Sequence, residues 1–177
     1  VRNDGADMPV YVHGNLSNET WILFLHGGPG ATGLIYHWND EFMRLEEDYT
    51  IAYWEQRGSG LAQGNAPADT YNILQFAEDC EEVVNALEHR HHPERLVLLS
   101  HSNGGAVAAY YLLEAENRAR TTGWIDISGA RHANDMYAIM VDWIFQISDE
   151  ALAGDISESE REEWESARDW LSSHTTY

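Results

Sequence analysis

The 177 residues include 44% hydrophobic side chains, enough apolar material for one sizeable core with an inserted subdomain. Thirty acidic residues oppose ten basic ones, for a formal charge of −20, an excess that repels nucleic acid phosphates and anionic membrane surfaces and argues against both as partners. No stretch approaches the roughly 18 uninterrupted apolar residues of a membrane span.

In chain order, the first strand-like segment is Pro9-Val10-Tyr11-Val12, a hairpin strand. Trp21-Ile22-Leu23-Phe24-Leu25 is a continuous apolar run of strand length that stops abruptly in His26-Gly27-Gly28-Pro29-Gly30, a turn no regular structure absorbs. Tyr49 to Trp54 reads as a buried strand. The polar stretch Gly64 to Asp69 is a loop leading to a helix that Asp69 or Thr70 caps. On that helix Ile73, Phe76, Ala77, Cys80, Val83, Val84 and Leu87 recur at three and four residues and form one apolar face. The lone Cys80 falls on this face and reads as buried and inert. His89, His91 and His92 sit where the helix ends before Pro93, a place the helix dipole favours for histidine, so no metal site is expected there.

Leu96 to Leu99 is a second apolar strand. It breaks into Ser100-His101-Ser102-Asn103-Gly104-Gly105 and restarts as an alanine-rich helix. This is G-x-S-x-G with Ser100 for the first glycine. A serine hydroxyl is a poor nucleophile unless it is held out of a strand end toward a base, which a sharp strand-to-helix elbow achieves. Ser102 is therefore the candidate nucleophile. Glycines after Leu25 let backbone N–H groups face a ligand, and Gly28 and Asn103 are the candidate pair for an oxyanion hole. Gly123 to Ser128 reads as a further strand. Helices follow over 136–153 and 157–173, the second opening on a Ser157-Glu158-Ser159-Glu160 capping box. Their tryptophans, Trp143, Trp164 and Trp170, read as core, with the lining of a hydrophobic acyl or side-chain pocket as the alternative.

Three blocks together, His26-Gly27-Gly28-Pro29-Gly30, then Tyr53-Trp54-Glu55-Gln56-Arg57-Gly58-Ser59-Gly60, then Ser100-His101-Ser102-Asn103-Gly104-Gly105, make the chain resemble the α/β-hydrolase superfamily and, within it, the proline iminopeptidase-like branch of serine peptidases and their esterase relatives. The resemblance covers about residues 8 to 130. That family's middle block usually has aspartate where this chain has Glu55 and a serine near Ala62, and its elbow often has tryptophan where this chain has Asn103. The resemblance implies an α/β fold, a mostly parallel sheet with helices on both faces. Residues 1–130 would be the N-terminal part of the core and 131–177 the start of a helical cap. In the support of the motif, Arg57 is expected to brace the turn after its strand by bonding carbonyls, beside Gly58 and Gly60. His101 is expected to pack rather than react.

The resemblance also implies the chain order nucleophile, acid, histidine, with the last two on loops after later strands. No such strands follow residue 128, so the sequence reads as truncated within the cap, and Val1 without an initiator methionine reads as a cut front end. The expected function is hydrolysis of a peptide or aminoacyl bond in a small-molecule or short-peptide substrate, without cofactor. Carboxylic ester hydrolysis and a catalytically silent binding protein stay open, as does a naturally short hydrolase drawing on Asp126, Asp135, Asp142, His132 or His174. A cytoplasmic location is favoured, with secretion and oligomeric state left open.

All ten basic residues are arginine, with no lysine. A lysine-free acidic surface resembles those of proteins from high-salt environments, where salt screens carboxylate repulsion. The expected outcome is a melting temperature that rises between low salt and molar KCl in a thermal scan; a flat or falling value counts against this habitat.

Overall fold

A computed structural model describes residues 1–131 and 133–174. The chain divides into two compact units, Val1–Arg131 and the segment from residue 132 onward. In the first unit the elements are β1 (Arg2–Asn3), β2 (Ala6–Asp7), β3 (Val10–His13), β4 (Thr20–Leu25), a 3-10 turn (Leu34–Trp38), α1 (Asp40–Asp48), β5 (Thr50–Trp54), β6 (Gln63–Gly64), α2 (Ile73–His91), β7 (Arg95–His101), α3 (Asn103–Tyr111), α4 (Ala115–Arg120) and β8 (Gly123–Ile127). Five strands form one sheet in the order β3-β5-β4-β7-β8. β3 is antiparallel to β5, and the other pairs are parallel. The first predicted strand thus exists but pairs with β5 rather than in a hairpin. β1, β2 and β6 make a small separate antiparallel sheet that periodicity did not announce, because two-residue strands are too short to show a period.

The unbroken apolar runs are explained by burial on both faces. Along β4, Trp21, Leu23 and Leu25 join one core with Phe76, Cys80, Val83, Val84 and Leu87 of α2 and Val107 and Ala108 of α3. Ile22 and Phe24 point the other way, into a core with Ile51, Tyr53, Leu99 and the half-buried Phe42 and Leu45 of α1. Helices therefore cover both faces, as the period-two geometry of a central strand requires. β8 lies at the sheet edge, with Ile125 and Ile127 exposed.

Local signals set the helix ends. α2 starts two or three residues later than the expected caps imply. Asn72, not Asp69 or Thr70, accepts from Gln75 N–H at 3.0 Å, because Ala68–Thr70 form a 3-10 turn of their own. The helix ends at His92 in the left-handed conformation, with His89, Arg90 and His91 in its last turn, and His91 stacks on Trp21 at 4.7 Å. Cys80 is fully buried, and burial pushes its thiol pKa far up, so it stays protonated and inert.

The second unit is a helix pair, α5 (Ala133–Ala153) and α6 (Glu158–His174). The expected capping box is present. Glu160 accepts from Ser157 N–H at 2.9 Å, and Glu160 N–H donates to Ser157 Oγ at 3.3 Å. Val141, Ser148 and Leu171 are buried, and Arg168 ties the helices together through Phe145 O and Ser148 Oγ. Trp143 and Trp170 are exposed rather than core, since two helices have only one mutual face to bury. No helix among the described residues is long and apolar enough to cross a membrane.

Candidate active site

Strand order places the site. From β4 the chain moves to β5 on one side, then crosses to β7 on the other. The crevice where strand order reverses lies at the carboxyl ends of β4 and β7, the usual ligand position in such sheets. Leu25 pairs with Ser100 in register, so the turn that begins at His26 and the turn that carries Ser102 emerge side by side. Their contact is close: a Cβ on Gly27 would stand 2.9 Å from Ser102 Cβ and 3.0 Å from His101 Nδ1.

Ser102 occupies φ 52, ψ −120 at the start of α3. For a residue with a side chain, this backbone costs about 1–3 kcal/mol and persists only when its surroundings enforce it. Here they do. Ser102 N–H donates to Ile127 O of β8 at 3.1 Å, while Ser102 O accepts from Gly105 N–H at 3.0 Å and Ala130 N–H at 2.8 Å. Gly104 lets the helix close on β4, since a Cβ there would sit 2.1 Å from Leu25 O. A serine at a helix start normally spends its hydroxyl on a cap. Ser102 makes no such bond, and it is half-buried, so the oxygen stays available.

The His26–Gly30 turn is held from below by the second motif block. His26 is fully buried, and desolvation lowers its pKa, so the ring is neutral. Its Nε2 accepts from Gln56 N–H at 3.3 Å, which leaves the proton on Nδ1 to donate to Gly27 O at 2.6 Å. Gln56 Nε2 also donates to His26 O at 2.9 Å. After the cis Gly28–Pro29 peptide, Gly30 N–H donates to Ser59 Oγ at 3.1 Å. Among the described residues, neither Gly28 N–H nor Asn103 N–H donates within the protein.

Glu55 is the residue that motif reading passed over. Its carboxylate is fully buried. Oε1 accepts from Thr32 Oγ1 at 2.8 Å, Gly33 N–H at 2.8 Å and Leu34 N–H at 3.0 Å, and Oε2 accepts from Leu61 N–H at 2.7 Å. One side chain thus fixes the backbone on the far side of the glycine turn. Gly58 and Gly60, both at positive φ, turn the chain back beneath it. A glutamate in place of the family aspartate was visible, but its partners are backbone groups that no sequence spacing reveals.

Arg57 departs from expectation. Rather than mainly bonding carbonyls, it forms a bidentate pair with Asp79 of α2 at 2.7 and 2.8 Å and donates to Thr70 Oγ1 at 2.7 Å, with Asn3 O its one carbonyl partner among the described residues. Hydrogen bonding to Asp79 raises the guanidinium pKa above its ordinary value. Ser100 is more than a small residue at a glycine position. Its hydroxyl donates to Asp126 Oδ1 at 2.7 Å and accepts from Trp124 Nε1 at 2.8 Å. Asp126 also pairs with Arg131 at 2.9 Å, so this carboxylate braces the turn after β8. His101 is half-buried, its Nδ1 bonded to Tyr36 OH at 3.0 Å. His132 and the side chain of His174 lie outside the described residues. Among the described residues, no histidine hydrogen-bonds Ser102.

A family model described as serine aminopeptidase, S33, matches residues 17–172. The chain belongs to that family. A curated relative, the Probable aminopeptidase YbaC of Bacillus subtilis, is 35% identical over 94 residues, which make up 51% of this chain and 29% of that protein. The proline iminopeptidase-related protein TTHA1809 of Thermus thermophilus superposes with a TM-score of 0.57 at 26% identity, covering 70% of this chain and 41% of that one. An esterase from Thermogutta terrifontis, 20% identical with a TM-score of 0.55 over 70% of this chain and 41% of its own, shares the fold. The S33 match and these superpositions establish an α/β-hydrolase core. This chain spans well under half the length of these relatives.

Proposed function

We propose that this S33 chain is a serine hydrolase acting on a peptide or aminoacyl bond, with Ser102 as nucleophile. The observation that carries the reading is the Ser102 backbone, held at positive φ between β7 and α3 with its hydroxyl spent on no cap. In the scheme, Ser102 Oγ attacks the substrate carbonyl carbon and loses its proton to a histidine base. The carbonyl oxygen gains the negative charge, and the N–H groups of Gly28 and Asn103 receive it. The N-terminus of α3 adds the positive end of its dipole at the same place. Collapse of the tetrahedral intermediate expels the amine, which takes the proton back from the histidine, and water then releases the acyl group from Ser102. The similarity to an aminopeptidase and to a proline iminopeptidase-related protein supports the amide substrate. Asn103 in place of the branch's tryptophan weakens the proline-specific reading and leaves a carboxylic ester as the second substrate reading.

A fluorophosphonate probe tests the nucleophile on protein expressed from its complete reading frame. The expected result is one label, mapped to Ser102 by peptide mass spectrometry and absent in Ser102→Ala. Labelling of another serine, or none at all, refutes the assignment. Comparing kcat/KM for an aminoacyl anilide and a p-nitrophenyl ester separates the two substrate readings.

A further inference from the structure

On the face of the sheet covered by α1, three side chains from separate elements converge: His13 at the end of β3, His37 in the 3-10 turn and Glu46 in the last turn of α1. Each offers one ligand atom, and these atoms all lie within 4.8 Å of one another. His37 Nδ1 stands 2.9 Å from Glu46 Oε1, and the His13 and His37 rings stack with centroids 3.8 Å apart. All three are half-buried, so the cluster is walled by protein yet open on one side.

We propose that His13, His37 and Glu46 form a binding site for a divalent transition-metal ion, with zinc as the matching probe. Two imidazoles and one carboxylate suit zinc and its neighbours, whereas calcium and magnesium take oxygen donors alone. Ligand bonds of about 2.0–2.1 Å in a tetrahedron put donor atoms about 3.3 Å apart. The His37–Glu46 pair stands slightly closer, at 2.9 Å, as a hydrogen bond that the ion would replace, and every pair of the three ligand atoms lies within 4.8 Å. Tyr53 OH donates to Glu46 Oε1 at 2.6 Å, the kind of outer hydrogen bond that orients a ligating carboxylate. The field is favourable too: α1 carries Asp40, Glu41, Glu46, Glu47 and Asp48 against the single Arg44, and its C-terminal end is the negative pole of the helix. Solvent completes the coordination on the open side. The ion would pin the 3-10 turn, whose Tyr36 reaches His101 beside the elbow, to the sheet.

The exposed histidines of the α2 end, His89, His91 and His92, are the competing locus and supply the control. Calorimetric titration of the metal-free protein with zinc chloride is expected to show one equivalent bound at micromolar or tighter affinity. His13→Ala and Glu46→Gln should each weaken it at least tenfold, and the triple change of His89, His91 and His92 to Gln should leave it intact. Cobalt(II) should give visible absorption that His13→Ala removes. Far-UV dichroism in EDTA checks that the variants fold, and His13→Ala removes no hydrogen-bond partner, so it stands if Glu46→Gln unfolds. No zinc binding up to 100-fold above micromolar, or binding indifferent to His13→Ala, overturns the proposal.

Discussion

Asp79→Ala is expected to lower the unfolding free energy by about 3–5 kcal/mol, the usual cost of stranding one member of a buried ion pair. The Arg57 and Asp79 side chains are both fully buried, and Asp79 takes both guanidinium bonds as well as Asn3 Nδ2 at 2.9 Å. Without the carboxylate, Arg57 keeps hydrogen bonds to Thr70 Oγ1 and Asn3 O among the described residues, with Asp4 as its remaining acidic neighbour, and a guanidinium cannot escape by deprotonation. The pair links the turn after β5, helix α2 and strand β1, so its loss should loosen all three. Urea denaturation measures the change, and a shift below about 1 kcal/mol would contradict the account. The double variant Arg57→Met with Asp79→Leu should recover most of the loss, because removing both charges leaves no unpaired ion.

Glu55→Gln is expected to cost about 2–3 kcal/mol, because an amide cannot accept at both ends and one buried backbone N–H must lose its partner. If the nitrogen faces Leu61, it confronts one backbone donor; if it faces Thr32, Gly33 and Leu34, it confronts two backbone donors and a hydroxyl that must turn to accept. The carboxylate fills the space beside Gly60 that a side chain would need, since a Cβ there would fall 1.4 Å from Glu55 Oε2. Under the proposed function the consequence reaches the chemistry, because the strand of backbone anchored by Glu55 continues directly from Gly28. Fluorophosphonate labelling of Ser102 should slow at least tenfold while Ser102 itself is untouched, consistent with the roughly 10²–10³ that one displaced oxyanion donor costs. Wild-type stability together with wild-type labelling would show that Glu55 positions nothing.

The two effects differ in how far they could be read from residues alone. Arg57 was recognisable as a bracing group, but Asp79 looks in the sequence like one more acidic residue on α2, and only docking of that helix buries it. Glu55 was visible as a variation on a motif; its role depends on two N–H groups and a hydroxyl brought to it by a turn about twenty residues earlier and on a third N–H from Leu61. His13, His37 and Glu46 share no spacing rule at all, since a strand, a 3-10 turn and a helix deliver them. The histidines that sequence proximity did single out, at residues 89, 91 and 92, end up exposed along a helix terminus.

What the residues determine unaided is local. Unbroken apolar runs mean strands buried on both faces; three-and-four spacing makes α2 amphipathic; Ser157 and Glu160 cap α6; glycines after Leu25 and around Ser102 mark the two turns to which the proposed function assigns the chemistry. These depend on backbone sterics and on neighbours within a few positions, so they can be read along the chain. Tertiary structure decides which turns meet, through the Leu25 to Ser100 register, and which carboxylates become anchors. Such pairings are selected by burial, where an unpaired charge or N–H is costly, and burial is a property of the whole fold rather than of any segment of it.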